Sequence, residues 1–254
     1  MNGDRVNHIN LDKIPLGLRG NVERFVQDIL ARIGENIESI AVTGSALTGD
    51  FDPKRSDINS VIVLKKMDLN VLDLLIDLGK KHKRDRFRSP LIMTEDYIHK
   101  SLDVFPIEFL DIKLLHETVY GKDIFSGISI DRAKLRLQCE RDLKARLINL
   151  RQGYVSSMGV KSILAKLILD SFPGFFPIFR AMIEVIQETP SLKKDHVLND
   201  IEKNFSVSME VFRRIHLARH EKKPKMGADL IHTLFNDVYT TTEKLSEAID
   251  AIHL

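Results

Sequence analysis

Two short stretches hold the residues that could do chemistry. Thr43-Gly44-Ser45 closes one apolar run, and Asp57-Ile58-Asn59 opens another after eleven intervening residues, 46 to 56. A Gly-Ser turn that ends a strand and opens a helix presents unpaired N–H groups and the positive end of the helix dipole, which attract phosphate. Gly44 would let the backbone come close, and Ser45 would add a hydroxyl donor. In a strand, side chains two apart share a face, so Asp57 and Asn59 would project together. Two oxygens fixed side by side on rigid backbone are what Mg²⁺ needs to grip a triphosphate. A third oxygen ligand would come from another strand. Val104–Lys113 reads as that strand and supplies Glu108 among Phe105, Ile107, Phe109 and Leu110. Pro106 there points to an edge or a bulge.

The spacing from Gly44-Ser45 to Asp57-Ile58-Asn59 resembles the signature of the DNA polymerase β-like nucleotidyltransferase superfamily: Gly-Ser, a spacer of this size, then Asp-x-Asp, with a later carboxylate on another strand. Ser56-Asp57-Ile58 and Val61-Ile62-Val63 are similar to its local pattern. The segment LDVFPIEFLDIKLLHETVYGKDIF, 102–125, and the helical half with LRLQCERDLKARLINLRQGY resemble bacterial predicted nucleotidyltransferases with a helical C-terminal domain. The resemblance implies transfer of a nucleoside monophosphate from a metal-bound nucleoside triphosphate to a hydroxyl-type acceptor. It implies Mg²⁺ or Mn²⁺ as cofactor, held by Asp57, Glu108 and Asn59. Gly44, Ser45 and Ser56 would hold the nucleotide. Asn59 departs from the pattern, since the second ligand is normally a carboxylate. The alternative is therefore a catalytically inactive nucleotide-binding or protein-interaction protein of the same fold. Asn does ligate Mg²⁺ through its carbonyl oxygen in protein kinases.

The elements that must position these residues follow from hydrophobic periodicity. Residues 19–33 carry Val22, Phe25, Val26, Ile29, Leu30 and Ile33 at helical spacing, with Gly34 as a stop. Ile37–Thr43 and Asp57–Leu64 read as strands. Asp68 can cap a helix over Leu69–Lys81, Pro90–Met93 reads as a short strand, and Thr94 can cap a short helix. Helices among few strands predict an α/β or α+β domain with a small mixed sheet over residues 1–130. Beyond Ile130 the strand pattern stops. Asp131–Tyr154 predicts a long helix, with further helices at 159–171, 175–188, 194–203, 207–220 and 227–251, so 131–254 is expected to be a helical bundle.

Composition excludes little. Of 254 residues, 43% are hydrophobic and 29% charged, as in ordinary globular chains, and a net charge of +2 gives no whole-protein field for nucleic acid. The lone Cys139 reads as a small buried thiol. The start lacks a signal pattern and no apolar run reaches bilayer length, which predicts a cytoplasmic protein with no membrane partner. Lys80–Arg88 holds six Lys or Arg against one Asp. It could touch nucleic acid, but the plainer reading is that it ends the preceding helix, where cations suit the dipole. Arg136, Glu140 and Lys144 predict a surface charge ladder at i,i+4 spacing. Arg214–His220 faintly resembles the Arg-to-His pattern of helical ribonuclease-type partners, a match that arises easily.

Overall fold

The computed structural model describes residues 9–53, 56–220 and 228–254. They divide into two compact units. One runs to Leu102 and takes in Asp111–Ser129; the other comprises Asp103–Leu110 and Ile130–Leu254.

The first unit is built on a mixed four-stranded sheet of β1 (Ile37–Thr43), β2 (Asn59–Leu64), β3 (Leu91–Thr94) and β4 (His116–Gly121), in the order β3-β2-β1-β4. β1 runs antiparallel to β2 and β4, whereas β2 and β3 are parallel. A parallel pair needs a crossover, and α2 (Asn70–His82) provides it; α1 (Leu16–Ile33) leads into β1. Val22, Phe25, Val26 and Ile29 of α1, with Leu75 and Leu78 of α2, pack in one cluster with Ile40, Val42, Ile62 and Leu64 of the sheet. The apolar residues of both helices recur at three and four, which puts them on the face that meets the sheet. Asp68 Oδ1 accepts the Asn70 N–H at 2.9 Å at the start of α2. Thr94 Oγ1 accepts the Tyr97 N–H at 3.2 Å, capping α3 (Glu95–Ser101) as its position predicts.

Between residues 104 and 121 the chain departs from the sequence-based expectations twice. Val104–Lys113 is not a strand: Pro106–Leu114 is a helix, α4. Pro106 is its first residue, where the missing N–H would have no partner anyway and the fixed φ suits a helix. Glu108 lies in the first turn, where the dipole favours a carboxylate. The second departure is β4, which the sequence does not advertise because its inward residues are Glu117 and Val119 rather than two apolar ones. Glu117 is 6% exposed, and Lys13 Nζ meets its carboxylate at 3.0 Å.

The basic stretch begins as the last turn of α2, with Lys80, Lys81 and His82. Lys81 Nζ and His82 Nε2 reach Asp28 at 2.6 and 2.7 Å, and His82 Nδ1 reaches Asp85 at 3.1 Å. The hydrogen bond from Lys81, opposed by desolvation and then aided by His82, holds the Asp28 carboxyl below its ordinary range. A depressed carboxylate contributes stability that is present above its unfolded value and is lost as pH falls through the folded one. Asp28→Asn is thus expected to be less stable than wild type at neutral pH. The gap should shrink on acidification below the ordinary value of 3.8. Denaturant midpoints measured from pH 7 downward check this.

In the second unit, α5 (Arg132–Ser156) starts at Asp131, whose side chain accepts the Lys134 N–H at 2.9 Å. Leu135, Cys139, Leu143, Leu147 and Leu150 are buried along it, and desolvation pushes the Cys139 thiol far up. Helices α6 (Lys161–Ser171), α7 (Phe175–Val185), α8 (Lys194–Phe205), α9 (Glu210–His220) and α10 (Ala228–Asp250) follow. By length and apolarity Lys161–Val185 could cross a bilayer, contrary to the sequence reading. Here it is two helices joined by a 3₁₀ turn, Phe172–Gly174, and α7 packs against α5 and α8. Burial of Phe175, Phe176, Ile178 and Phe179 makes α7 a core helix, which explains its apolarity all round. Glu140 pairs with Arg136 at 3.1 Å and with Lys144 at the expected i,i+4 spacing, but Arg136 and Glu140 are largely covered rather than on the surface. Arg214 pairs with Asp237 at 3.2 Å, while the side chain of His220 lies outside the described residues.

Candidate functional site

β1 delivers Gly44 at its end, and Gly44 has φ +78, a conformation that favours glycine. A β-carbon there would lie 3.3 Å from Asn59 Nδ2. Asn59 opens β2 directly opposite Thr43, so its amide lies over the Gly44 backbone. The turn is shorter than expected. Gly44–Leu47 is one 3₁₀ turn, and the Gly44 N–H donates to the Leu115 carbonyl at 2.8 Å. A turn this short has no aligned dipole to offer phosphate, so that part of the sequence argument falls away. Ser45 keeps its hydroxyl: no described residue takes it in a hydrogen bond.

Asp57 is not on the strand, because β2 begins at Asn59. Its side chain is 52% exposed. It is carried instead by pairing between residues 56–58 and 86–88. The Ile58 N–H donates to the Arg86 carbonyl at 2.9 Å, and the Arg88 N–H donates to the Ile58 carbonyl at 3.1 Å. Arg86 Nε donates to the Ser56 carbonyl at 2.8 Å, and Nη2 lies 3.5 Å from Asp57 Oδ1. Arg86 does this from a left-handed backbone, φ 65, which costs a non-glycine residue about 1 kcal/mol or more. Its neighbours pin it there. Phe87 stacks on Phe25 with ring centroids 3.9 Å apart, and Asp85 is held by His82 and by Arg24 at 3.2 Å. Ser56 closes its own loop, with Oγ accepting the Asp52 N–H at 3.0 Å.

Glu108 belongs to the other unit. It sits exposed in the first turn of α4, and Oε2 accepts from Gln138 Nε2 at 2.7 Å. Gln138 Oε1 in turn accepts the Ile107 N–H at 2.8 Å. The strands offer no carboxylate in its place. Glu117 stands opposite Val42, one residue out of step with Asn59 opposite Thr43, so it faces the other side of the sheet. His116 is opposite Thr43 and therefore shares the Asn59 face. Its ring caps α4, with Nδ1 at 3.0 Å from the Ile112 and Lys113 carbonyls and Nε2 at 3.0 Å from Asp123. Desolvation works against it, but bonds from Ser126 and His116 hold the Asp123 carboxyl below its ordinary range. This clamp positions Leu115, the acceptor of the Gly44 N–H.

Arg86, beside Asp57, is the neighbour of the candidate site that sequence reasoning did not single out. It lay inside a run of cations, and nothing local distinguishes it from its neighbours, because its partners are roughly 30 residues away. Asp57 and Asn59 are the oxygen donors that the two stretches offer to a hard cation. Among the described residues no three His, Cys, Asp or Glu converge on a metal position. Mg²⁺ commonly takes one or two protein oxygens and fills its octahedron with water and phosphate, which Asp57 and Asn59 match.

Residues 22–116 match the family model described as a nucleotidyltransferase domain. Most of the chain is similar to the crystal structure of spectinomycin adenyltransferase AAD(9) from Enterococcus faecialis with ATP and spectinomycin. The identity is 13%, over 89% of this chain and 98% of that one, with a TM-score of 0.54. No curated protein matches the sequence. The likeness extends to the small mixed sheet with its helices and to the largely helical C-terminal part. Over residues 22–116, then, the chain is similar to nucleotidyltransferase domains, and in fold to that adenyltransferase.

Proposed function

We propose that this chain binds a nucleoside triphosphate with Mg²⁺ at Gly44, Ser45, Asp57 and Asn59, and transfers its nucleoside monophosphate to a hydroxyl-type acceptor. The observation that carries the reading is the pairing of Thr43 with Asn59 at the joined ends of β1 and β2, which leaves the Asn59 amide where a side chain on Gly44 would stand, within the matched domain. The ATP named with the similar adenyltransferase supports a nucleotide substrate. Ser45 would donate its hydroxyl to a phosphate oxygen, and the backbone at Gly44, with no side chain, would let the polyphosphate approach. Asp57 and the Asn59 carbonyl oxygen would hold the cation. When bound, Mg²⁺ would neutralise triphosphate charge and orient the leaving group. In the transfer, the acceptor oxygen bonds to the α-phosphorus. The bond from that phosphorus to its bridging oxygen breaks, pyrophosphate leaves with the electron pair, and the acceptor's proton passes to solvent water. Glu108, committed to Gln138, is left out of this set.

The second reading, a nucleotide-binding protein without turnover, is favoured by one observation: the second carboxylate position holds the neutral Asn59. A panel of nucleoside triphosphates labelled at the α-phosphate separates the two. Transfer of label to a hydroxyl compound, with pyrophosphate released, supports the enzyme. Saturable Mg²⁺-dependent binding with no release across the acceptor panel supports the binding protein.

A further inference from the structure

At the second ligand position of the candidate site stands a neutral side chain, and beside the first stands a cation. A two-metal phosphoryl-transfer site sets several carboxylates against four positive charges. Here Asn59 is neutral, Asp57 is the carboxylate at the strand end, and the Arg86 guanidinium stands 3.5 Å from it. Arg86 is held by more than that long ion pair. Its carbonyl accepts from Ile58, its Nε donates to Ser56, and its left-handed backbone is retained between the anchored Asp85 and the stacked Phe87. A strained, over-determined conformation beside a ligand group is what positioning requires. A guanidinium is also always charged, and its planar fork suits phosphate oxygens.

We infer that Arg86 positions Asp57 and supplies the positive charge that a second divalent cation would otherwise bring, so that the site takes one divalent cation per bound nucleotide. The inference rests on the nucleotide-binding reading above. It accounts for Asn59 and Arg86 together: a second carboxylate is dispensable where the second positive charge is built into the protein. Arg86 reaches Asp57 through the same side chain that grips Ser56, so it fixes the carboxylate before any ligand arrives.

The test counts cations. Mn²⁺ binding to the full chain is followed by electron paramagnetic resonance, with a non-hydrolysable nucleoside triphosphate analogue held at saturation. One Mn²⁺ per bound nucleotide is expected for wild type. Arg86→Asn keeps a residue that tolerates the left-handed backbone and removes the charge. It should weaken nucleotide binding about tenfold or more, as for loss of a hydrogen bond to a charged group. Arg86→Lys, which keeps the charge but not the fork, should recover part of that loss. The double variant Arg86→Asn/Asn59→Asp should take up a second Mn²⁺. Circular dichroism of each variant confirms that it is folded. Two Mn²⁺ per nucleotide in wild type, or unchanged nucleotide affinity in folded Arg86→Asn, would overturn the inference while leaving nucleotide binding intact. Absence of any nucleotide binding by wild type would overturn the proposed function and this inference with it.

Discussion

Asp57→Ala is expected to lower Mg²⁺-dependent nucleotide affinity and any pyrophosphate release by about 100-fold or more. Loss of an outer partner of a ligand already costs about 10- to 100-fold, and Asp57 would touch the cation directly. The carboxylate is 52% exposed and lies outside the strand, so its removal should leave the fold intact and the melting temperature near that of wild type. Asn59 behaves differently. Asn59→Ala removes the amide beside Gly44 and should reduce binding strongly, while Asn59→Asp places a carboxylate at the same position. Isothermal titration calorimetry with Mg²⁺ and a triphosphate analogue, run for wild type and the three variants, reads all of this. Equal affinity in wild type and Asp57→Ala would place the nucleotide elsewhere.

Gly121→Ala should cost about 3 kcal/mol or more of folding stability, combining a residue forced into the left-handed region with overpacking. Gly121 has φ +80 at the end of β4, paired with Ser39 of β1. A β-carbon there would overlap the Glu38 carbonyl oxygen and lie 3.1 Å from Ser39 Cα, both backbone atoms that cannot swing aside. Gly127→Ala is the control, since nothing lies within 4 Å of the added carbon and its φ is not positive. Urea midpoints compare the two. A Gly121→Ala protein as stable as wild type would show that the β1–β4 ladder does not close at this residue.

The nearly complete legibility of β1 and of the helical half has a common cause. Ile37–Thr43 is a short apolar run bounded by turn formers, and Leu135 to Leu150 repeats at three and four, so burial alone selects strand in one case and helix in the other. Val104–Lys113 offers no such choice. Ten mostly apolar residues suit either state, and only the docking of Ile107, Phe109 and Leu110 decides for a helix. β4 hides because its inward carboxylate is neutralised by Lys13, a residue about a hundred positions earlier. The site divides in the same way. Gly44, Ser45, Asp57 and Asn59 announce themselves by spacing. Arg86 and the commitment of the Gly44 N–H to Leu115 are products of tertiary pairing and carry no local mark.

Residues 56–58 reach Asp57 to its place through two backbone hydrogen bonds, from Ile58 and Arg88, outside any continuous ladder. Such a segment has its own opening equilibrium, separate from global unfolding. Whatever fraction of time it spends open is subtracted from the apparent affinity of anything that needs Asp57 in position. If nucleotide binds through Asp57 as proposed, the aromatic stack of Phe87 on Phe25 enters the binding constant. Amide exchange at Ile58 and Arg88 is then a direct gauge of how much intrinsic affinity the free protein withholds.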